Sequence, residues 1–306
     1  QDVYKRQFFW YLMKDNGEEF DINWEEWGAY IDYLMDKLAR EDKFAREENI
    51  DDDVDKLFRK GKELVNSGEY REAIELFEKL IGKDPEHASA WCWKGVAHLK
   101  LEEYEDAIKA FEKAIEIKPD YAYAWHWKGI TLIELERYVE AEIALRIAIN
   151  NIYLYEDERA WYWLGVAYMS LKDFEKALHS FGMAINIAPD YAEAHYEKGK
   201  CLLESGRYEE AAEAFEIAAE LWGRGAQVLK NSGKNEEAET IFERVSKAWY
   251  NEGVVLEKLG KYEEALEAYK KSRDINPEKF VIDAIERVQR KLSERTQGQE
   301  NTENED

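Results

Sequence analysis

Cysteine, proline and histidine are all scarce in this chain of 306 residues, and long hydrophobic runs are missing. Cys92 and Cys201 fall in separate repeats of the array described below, too far apart to form a disulfide within one chain. Such low cysteine usage fits a reducing compartment, and we expect a cytoplasmic protein. The apolar run at residues 8–13 (FFWYLM) is far shorter than the roughly 20 residues of a membrane span. No signal-peptide pattern is visible.

Basic residues are outnumbered by acidic ones. Lys and Arg total 43, Asp and Glu total 67, and the net charge is −24. Nucleic-acid binding depends largely on Lys and Arg neutralising phosphates, so this balance predicts no nucleic-acid partner. It also predicts no binding to anionic membrane surfaces. A neutral or basic protein partner is compatible with it, as is a simple contribution to solubility.

Signatures of catalysis are absent from the sequence. No phosphate-binding glycine loop, HExxH motif or CxxC motif occurs, and the five histidines are scattered singly. The many Glu-Glu pairs start predicted B helices, where they suit the positive end of the helix dipole. We therefore predict no catalytic residues, no metal site and no cofactor, and a protein that is not an enzyme.

The sequence repeats with a period of about 34 residues. Five glycines recur at spacings of 34, 34, 36 and 34, and all four prolines of the chain fall at one phase of the period. With the glycine numbered as position 8, an aromatic residue recurs at positions 4, 17 and 24 and alanine at position 20. The recurring glycines are Gly61, Gly95, Gly129, Gly165, Gly199 and, after two shorter intervals, Gly253.

This pattern resembles the tetratricopeptide repeat, a helix–turn–helix unit whose two helices are called A and B. The resemblance covers residues 54–279 and implies an all-α fold, a right-handed superhelical α-solenoid of helix–turn–helix repeats. Small residues at positions 8 and 20 are expected where helices A and B approach closely, with large residues filling the gaps. The seven predicted repeats are 54–87, 88–121, 122–157, 158–191, 192–218, 219–245 and 246–279.

The later repeats depart from the regular length. The third repeat has two extra residues and no proline, which predicts a longer loop near residue 152. The fifth and sixth repeats each lack about seven residues at their ends. We therefore expect one long helix from about Asn235 to Leu259. Gly223 and Gly225 are expected to break or bend the chain just before it and to bend the superhelix.

The ends of the chain do not follow the repeat. Residues 1–7 include DVYKRQ, which looks like the translated end of a sequencing transposon, so they are interpreted as a scar behind which a signal or anchor could be lost. Residues 8–53 are predicted to form a helical cap or, alternatively, a segment that lies in the groove. Residues 280–292 are predicted to form a C-terminal capping helix, and residues 293–306 a disordered tail.

The candidate binding surface lies on the A helices. In the tetratricopeptide family, positions 2, 5, 9, 12 and 13 line a concave groove, with position 6 at its edge, and here that surface is apolar and aromatic rather than charged. Alternatively, tight curvature packs these side chains against neighbouring A helices. The Lys and Asn pair with which some family members grip a terminal carboxylate is absent. The predicted groove residues are Cys92, Trp93, Val96, His126, Trp127, Ile130, Tyr162, Trp163, Val166, Met169, Tyr196 and Lys200.

Three functions are compatible with these observations. The favoured hypothesis is an adaptor or scaffold that binds a peptide or helix of a partner protein in the groove. A second is a structural protein that assembles with itself. A third is the non-catalytic part of a larger protein. The identity of the partner does not follow from a repeat fold.

Overall fold

The computed structural model describes residues 52–150 and 156–303, and all regular structure in these ranges is helical. The chain divides into two compact units, residues 1–56 and 57–306, and almost all described residues belong to the second. The predicted scar and nearly all of the predicted N-terminal cap lie outside the described residues. The helices are α1 (Asp52–Ser67), α2 (Tyr70–Lys83), α3 (Ala88–Lys100), α4 (Tyr104–Ile117), α5 (Ala122–Glu134), α6 (Tyr138–Ile149), α7 (Glu158–Ser170), α8 (Phe174–Ile187), α9 (Ala192–Glu204), α10 (Tyr208–Asn231), α11 (Asn235–Lys258), α12 (Tyr262–Ile275) and α13 (Lys279–Glu303).

The helices form an all-α solenoid. From α2 onwards each helix packs against the next one in the chain, and the A helices α3, α5, α7 and α9 also contact one another in succession. Successive B helices make no comparable contact within the described ranges. The A helices therefore line the inner side of the stack. Between α6 and α7 the connection spans residues 150–157, longer than the four residues between α2 and α3; residues 151–155 of it are not described.

One turn geometry recurs between the A and B helices. Position 15 has a positive φ in all seven turns, and it is glycine in four of them and a charged residue in the other three. In the second repeat, for example, Glu102 has φ 61° and the Glu103 amide donates to the carbonyl of His98 at 3.0 Å. The left-handed residue turns the chain so that the amide after it donates this 6→1 bond to a carbonyl at the end of the A helix, which would otherwise have no partner.

The two helices of a repeat meet at the position 8 glycine. A Cβ atom at Gly95 would lie 2.6 Å from Cε1 of the fully buried Phe111, and Gly61, Gly165 and Gly199 face their phenylalanines in the same way. In the seventh repeat Gly253 faces Tyr269. The predicted role of a small residue at this position is thus confirmed by contact with the side chain at position 24.

Position 4 fixes the connection between repeats. The indole N–H groups of Trp91 and Trp125 donate to the carbonyls of Pro85 and Pro119 at 3.0 and 2.9 Å. His195 replaces the tryptophan in the fifth repeat, and its Nε2 lies 3.0 Å from the carbonyl of Pro189. The ring nitrogen at position 4 therefore satisfies a carbonyl of the loop, while the ring fills space beside it.

The long helix predicted from Asn235 is present as α11, which has 24 residues. The predicted break at Gly223 and Gly225 is wrong, because α10 continues through both glycines and joins helix B of the fifth repeat to helix A of the sixth. Each glycine costs about 1 kcal/mol in a helix interior. Burial of Trp222 and Ala226 next to them offsets that cost, since one large apolar side chain contributes about 1.5–3 kcal/mol.

The C-terminal helix also runs further than predicted. The structure continues α13 to Glu303, so the predicted end at residue 292 and the disordered tail from 293 are corrected. Val281, Ala284, Ile285 and Val288 are buried against the last repeat, and helix then propagates into a segment without proline. Arg287 and Lys291 also anchor α13 to Glu257 of α11, which holds the pKa of Glu257 down at about 2.

Substitution of two glycines by alanine tests this account of the helix contacts. Gly95→Ala is expected to lower the free energy of unfolding by about 1–3 kcal/mol, because the new methyl group overlaps the buried ring of Phe111. Gly225→Ala, the matched control, meets no atom within 4 Å and is expected to raise it by up to about 1 kcal/mol. Urea unfolding followed by circular dichroism measures both. A destabilising Gly225→Ala would argue against an uninterrupted α10.

Candidate functional site

Four of the twelve predicted groove residues are buried. Cys92 and Val96 of α3 and His126 and Ile130 of α5 are each at most 6% exposed. Their side chains fill the space between successive helices, as the alternative of tight curvature predicts. We therefore leave these four residues out of the candidate surface.

Electrostatic features agree with this burial. Desolvation raises the pKa of the Cys92 thiol to about 12. Burial lowers the pKa of His126 to about 4, and its Nδ1 has no hydrogen-bond partner in the described structure. Both groups are therefore neutral near pH 7 and carry no charge with which to attract a ligand.

Two tryptophans lie at the edge of the groove. Trp93 is half-buried, and the Lys62 ammonium lies 5.1 Å from the centroid of its ring. Trp127 is also half-buried and packs edge-on against His126, with ring centroids 5.6 Å apart. Each indole ring thus packs against a side chain of the repeat array and keeps part of its surface accessible to solvent.

The candidate surface is clearest on α7 and α9, where the remaining predicted residues are half-buried. The ring of Tyr162 lies 5.3 Å from those of Trp163 and Tyr191 and 6.0 Å from that of Phe181. Tyr196 in turn packs 5.3 Å from Trp222. We call this half-buried set the aromatic surface; it consists of Tyr162, Trp163, Val166, Met169, Tyr196 and Lys200.

A cleft of about 270 Å³ opens at one end of the aromatic surface. It lies between α7, α9, α10 and α11, and both aromatic and charged side chains face it. Its lining residues are Tyr162, Glu193, Tyr196, Glu197, Trp222, Arg244 and Lys247. The cleft thus combines predicted groove residues with side chains from the two long helices.

Hydrogen bonds order the charged wall of the cleft. Arg244 donates from Nη1 to Oε1 of Glu193 at 2.8 Å, and Trp222 donates from Nε1 to the same oxygen at 3.3 Å. The Arg244 guanidinium carbon lies 6.0 Å from the centroid of the Trp222 ring. Lys200 pairs with Glu197, and Asn251 donates to the hydroxyl of Tyr196 at 2.9 Å. Burial also raises the pKa of Tyr162, which therefore stays neutral.

Sequence reasoning missed Glu197, Trp222, Arg244 and Lys247 as site residues. Trp222 occupies position 4, which is a packing position elsewhere, and Arg244 lies on helix B of the sixth repeat, which does not line the groove in regular repeats. Lys247 is at position 2 of the seventh repeat, outside the second to fifth repeats from which the groove residues were predicted. Arg244 reaches Glu193 across 51 residues. For Trp222 and Arg244 the signal in the sequence is the shortened length of the fifth and sixth repeats, which brings α11 beside α9, and for Lys247 it is position 2 of the seventh repeat.

Neither a metal site nor a membrane span is found where the structure is described. Within residues 52–150 and 156–303, no group of three or more His, Cys, Asp and Glu side chains is placed to hold a metal ion. In the same ranges no helix is both long and apolar enough to cross a bilayer.

Comparison with known sequences identifies the family. Three profiles described as tetratricopeptide repeat match residues 58–122 and 180–226, residues 158–191 and 246–279, and residues 110–143. Together these segments cover more than half of the chain, which therefore belongs to the tetratricopeptide repeat family. No curated protein sequence matches it significantly over its length.

Solved structures share the fold. The chain is similar to PilF of Pseudomonas aeruginosa, with a TM-score of 0.61, 17% identity and coverage of 79% of this chain and 98% of that one. It is also similar to YrrB, described as a TPR protein with an unusual peptide-binding site, with a TM-score of 0.55, 24% identity and coverage of 70% of this chain and 97% of that one. A third similar structure is MamA of Desulfovibrio magneticus RS-1, with a TM-score of 0.52, 22% identity and coverage of 56% of this chain and 97% of that one.

Thiol reactivity tests the burial of the predicted groove residue Cys92. Neither Cys92 nor Cys201 is exposed, and burial raises the pKa of the second thiol to about 11, so both should react slowly with a disulfide reagent at pH 8. Both are expected to react rapidly in urea. The Cys201→Ser variant isolates the signal of Cys92. Rapid labelling of that folded variant would place Cys92 in an open groove instead.

Proposed function

We propose that this chain is an interaction protein, an adaptor or scaffold that binds a segment of a partner protein on the aromatic surface and in the adjoining cleft. The observation that carries the proposal is the half-buried cluster on α7 and α9. A solvated helix face is mostly charged, whereas Trp163, Val166 and Met169 present apolar area on the inner side of the stack. Such a surface suits an extended peptide or an amphipathic helix with apolar anchors.

Two further features support this function. The cleft combines aromatic rings with a few ordered polar groups, a combination that is common in binding sites. YrrB, which shares the fold, is described as having a peptide-binding site. The role proposed is binding rather than catalysis, and the partner is a protein or peptide rather than a nucleic acid or a membrane.

A pull-down with a double variant tests the proposal. Trp163→Ala with Val166→Ala removes accessible apolar area and leaves Tyr162, whose ring supports Tyr191 and Phe181. Capture of the partner from a lysate of the source cell is expected to fall by roughly tenfold or more, since loss of an aromatic anchor costs at least about 1.4 kcal/mol. Quantitative mass spectrometry of the captured proteins gives the ratio.

The control is Val228→Ala with Ile282→Ala, on α10 and α13. Both residues are exposed, at 65% and 40%, so this variant also loses exposed apolar area, away from the aromatic surface. Circular dichroism must show that both variants are folded. Equal capture by the wild type and the Trp163 variant would move the binding site off the aromatic surface.

Self-assembly is a second candidate function, favoured by an exposed apolar stripe on α6. We define this stripe as Val139, Ile143 and Ile147, which recur every four residues and are 60%, 51% and 39% exposed. The same positions of the second repeat hold Glu105, Lys109 and Lys113. An uncharged stripe on a chain of net charge −24 offers a surface on which two copies could pack with little repulsion.

Analytical ultracentrifugation at increasing concentration tests this second function. The wild type is expected to show a rising average mass, and Ile143→Lys is expected to remain a monomer because it places a charge in the centre of the stripe. Val228→Lys is the matched control, since Val228 is 65% exposed on α10, outside the stripe. A wild type that stays monomeric throughout would refute a role for the stripe in self-assembly.

A further inference from the structure

Arg244 and Lys247 lie on the same cleft and differ in how they are paired. The two carboxylates that line the cleft are each bound by a cation of the chain, Glu193 by Arg244 and Glu197 by Lys200. Lys247 is exposed and makes no ion pair with any residue in the described ranges. The charges of the lining residues therefore balance, but because Lys200, outside the lining, pairs with Glu197, Lys247 is left as a cation of the cleft without a carboxylate partner in the described ranges.

The guanidinium of Arg244 is positioned by Glu193 and keeps N–H donors available for an anion. Glu193 accepts one N–H bond from Nη1, and the guanidinium carbon lies 6.0 Å from the centroid of the Trp222 ring. A guanidinium has five N–H donors, so others remain available. Trp222 donates to the same Glu193 oxygen and fixes the carboxylate that positions the arginine. A planar guanidinium with its orientation fixed in this way is suited to a carboxylate.

We propose that Arg244 and Lys247 form an anion subsite that binds an acidic side chain of the partner segment. Tyr162, Tyr196 and Trp222 form the neighbouring subsite for an aromatic or large aliphatic side chain. This inference rests on the proposed function and adds the chemistry of the ligand. It differs from the carboxylate-gripping arrangement absent from the first repeats, since Arg244 lies on helix B of the shortened sixth repeat and Lys247 at position 2 of the seventh.

The size and charge of the cleft support this occupant. A volume of about 270 Å³ lies just below the usual range for ligand pockets, which suits one or two side chains rather than a folded domain. Repulsion from the acidic surface elsewhere is screened beyond about 8 Å at physiological ionic strength. Contacts inside the cleft, rather than the field of the whole chain, therefore decide which charge is accepted.

Selection from a random-peptide library displayed on phage tests the inference. The peptides are joined to the coat protein at their C-termini, so a terminal carboxylate is not offered. The wild type is expected to enrich peptides with Asp or Glu beside an aromatic or large aliphatic residue. Lys247→Glu is expected to reverse this preference towards Lys or Arg, a change that loss of stability does not produce.

Synthetic peptides provide the quantitative measurement. An enriched peptide and its Glu→Gln form are titrated by isothermal calorimetry against the wild type, Arg244→Gln with Lys247→Gln, and Lys247→Gln alone. The double variant is expected to bind the enriched peptide about tenfold more weakly than the wild type does. It is expected to bind the Glu→Gln form no more tightly than the enriched peptide. Arg224→Gln, which removes an exposed cation of α10 outside the cleft, should leave affinity unchanged.

The outcomes separate this inference from the proposed function. Peptides that depend on Trp163 and Val166 but carry no acidic residue, or bind equally to the double variant, overturn the anion subsite alone. Enrichment of basic peptides by the wild type also overturns it. If the wild type enriches no peptide, or if every enriched peptide also binds the Trp163→Ala and Val166→Ala variant, the proposed function and the subsite both fail.

Discussion

The structure depends on the close contact between the position 8 glycine of each A helix and the large side chain at position 24 of its B helix. At Gly95 the ring of Phe111 occupies the space where a Cβ atom would lie, so the two helix backbones approach each other closely. In the sixth repeat Ala226 replaces the glycine, and its counterpart Phe242 is only half-buried. Each regular pair is therefore locked in one orientation, and from these pairs the inner surface is built.

Shortening of the fifth and sixth repeats changes which charges meet. In the second and third repeats the position 7 lysines, Lys94 and Lys128, pair with Glu78 and Glu112 of the preceding B helix. In the seventh repeat this position holds Glu252, which the long helices bury close to Glu216 and Glu264. Burial first, and then these neighbours, raise its pKa to about 7. The cost to folding is therefore absent below about pH 4.5, grows between pH 4.5 and about 7, and is complete above that pH.

The repeat fold could be predicted from the sequence because the contacts that define it join residues at a fixed period. Glycine at position 8 and the aromatic residue at position 24 belong to one repeat and are visible in one period. The burial of Cys92 and His126 depends instead on the curvature between successive A helices, which no single repeat encodes. Gly223 and Gly225 suggested a break because local propensity is weak there, but the buried Trp222 decides the outcome. Arg244 reaches Glu193 only because two loops between repeats are missing, one replaced by the continuous helix α10 and the other by α11.

The missing connections also explain why the cleft forms at this place. In regular repeats the ring nitrogen at position 4 binds the carbonyl of the preceding proline, as Trp91 and Trp125 do. The tryptophan at position 4 of the sixth repeat, Trp222, lies inside the continuous helix α10, where no such loop precedes it. Its indole N–H is therefore available to Glu193, and Glu193 in turn holds Arg244. Fusion of two helices thus converts a bond that closes a loop into one that positions a cation beside the aromatic surface.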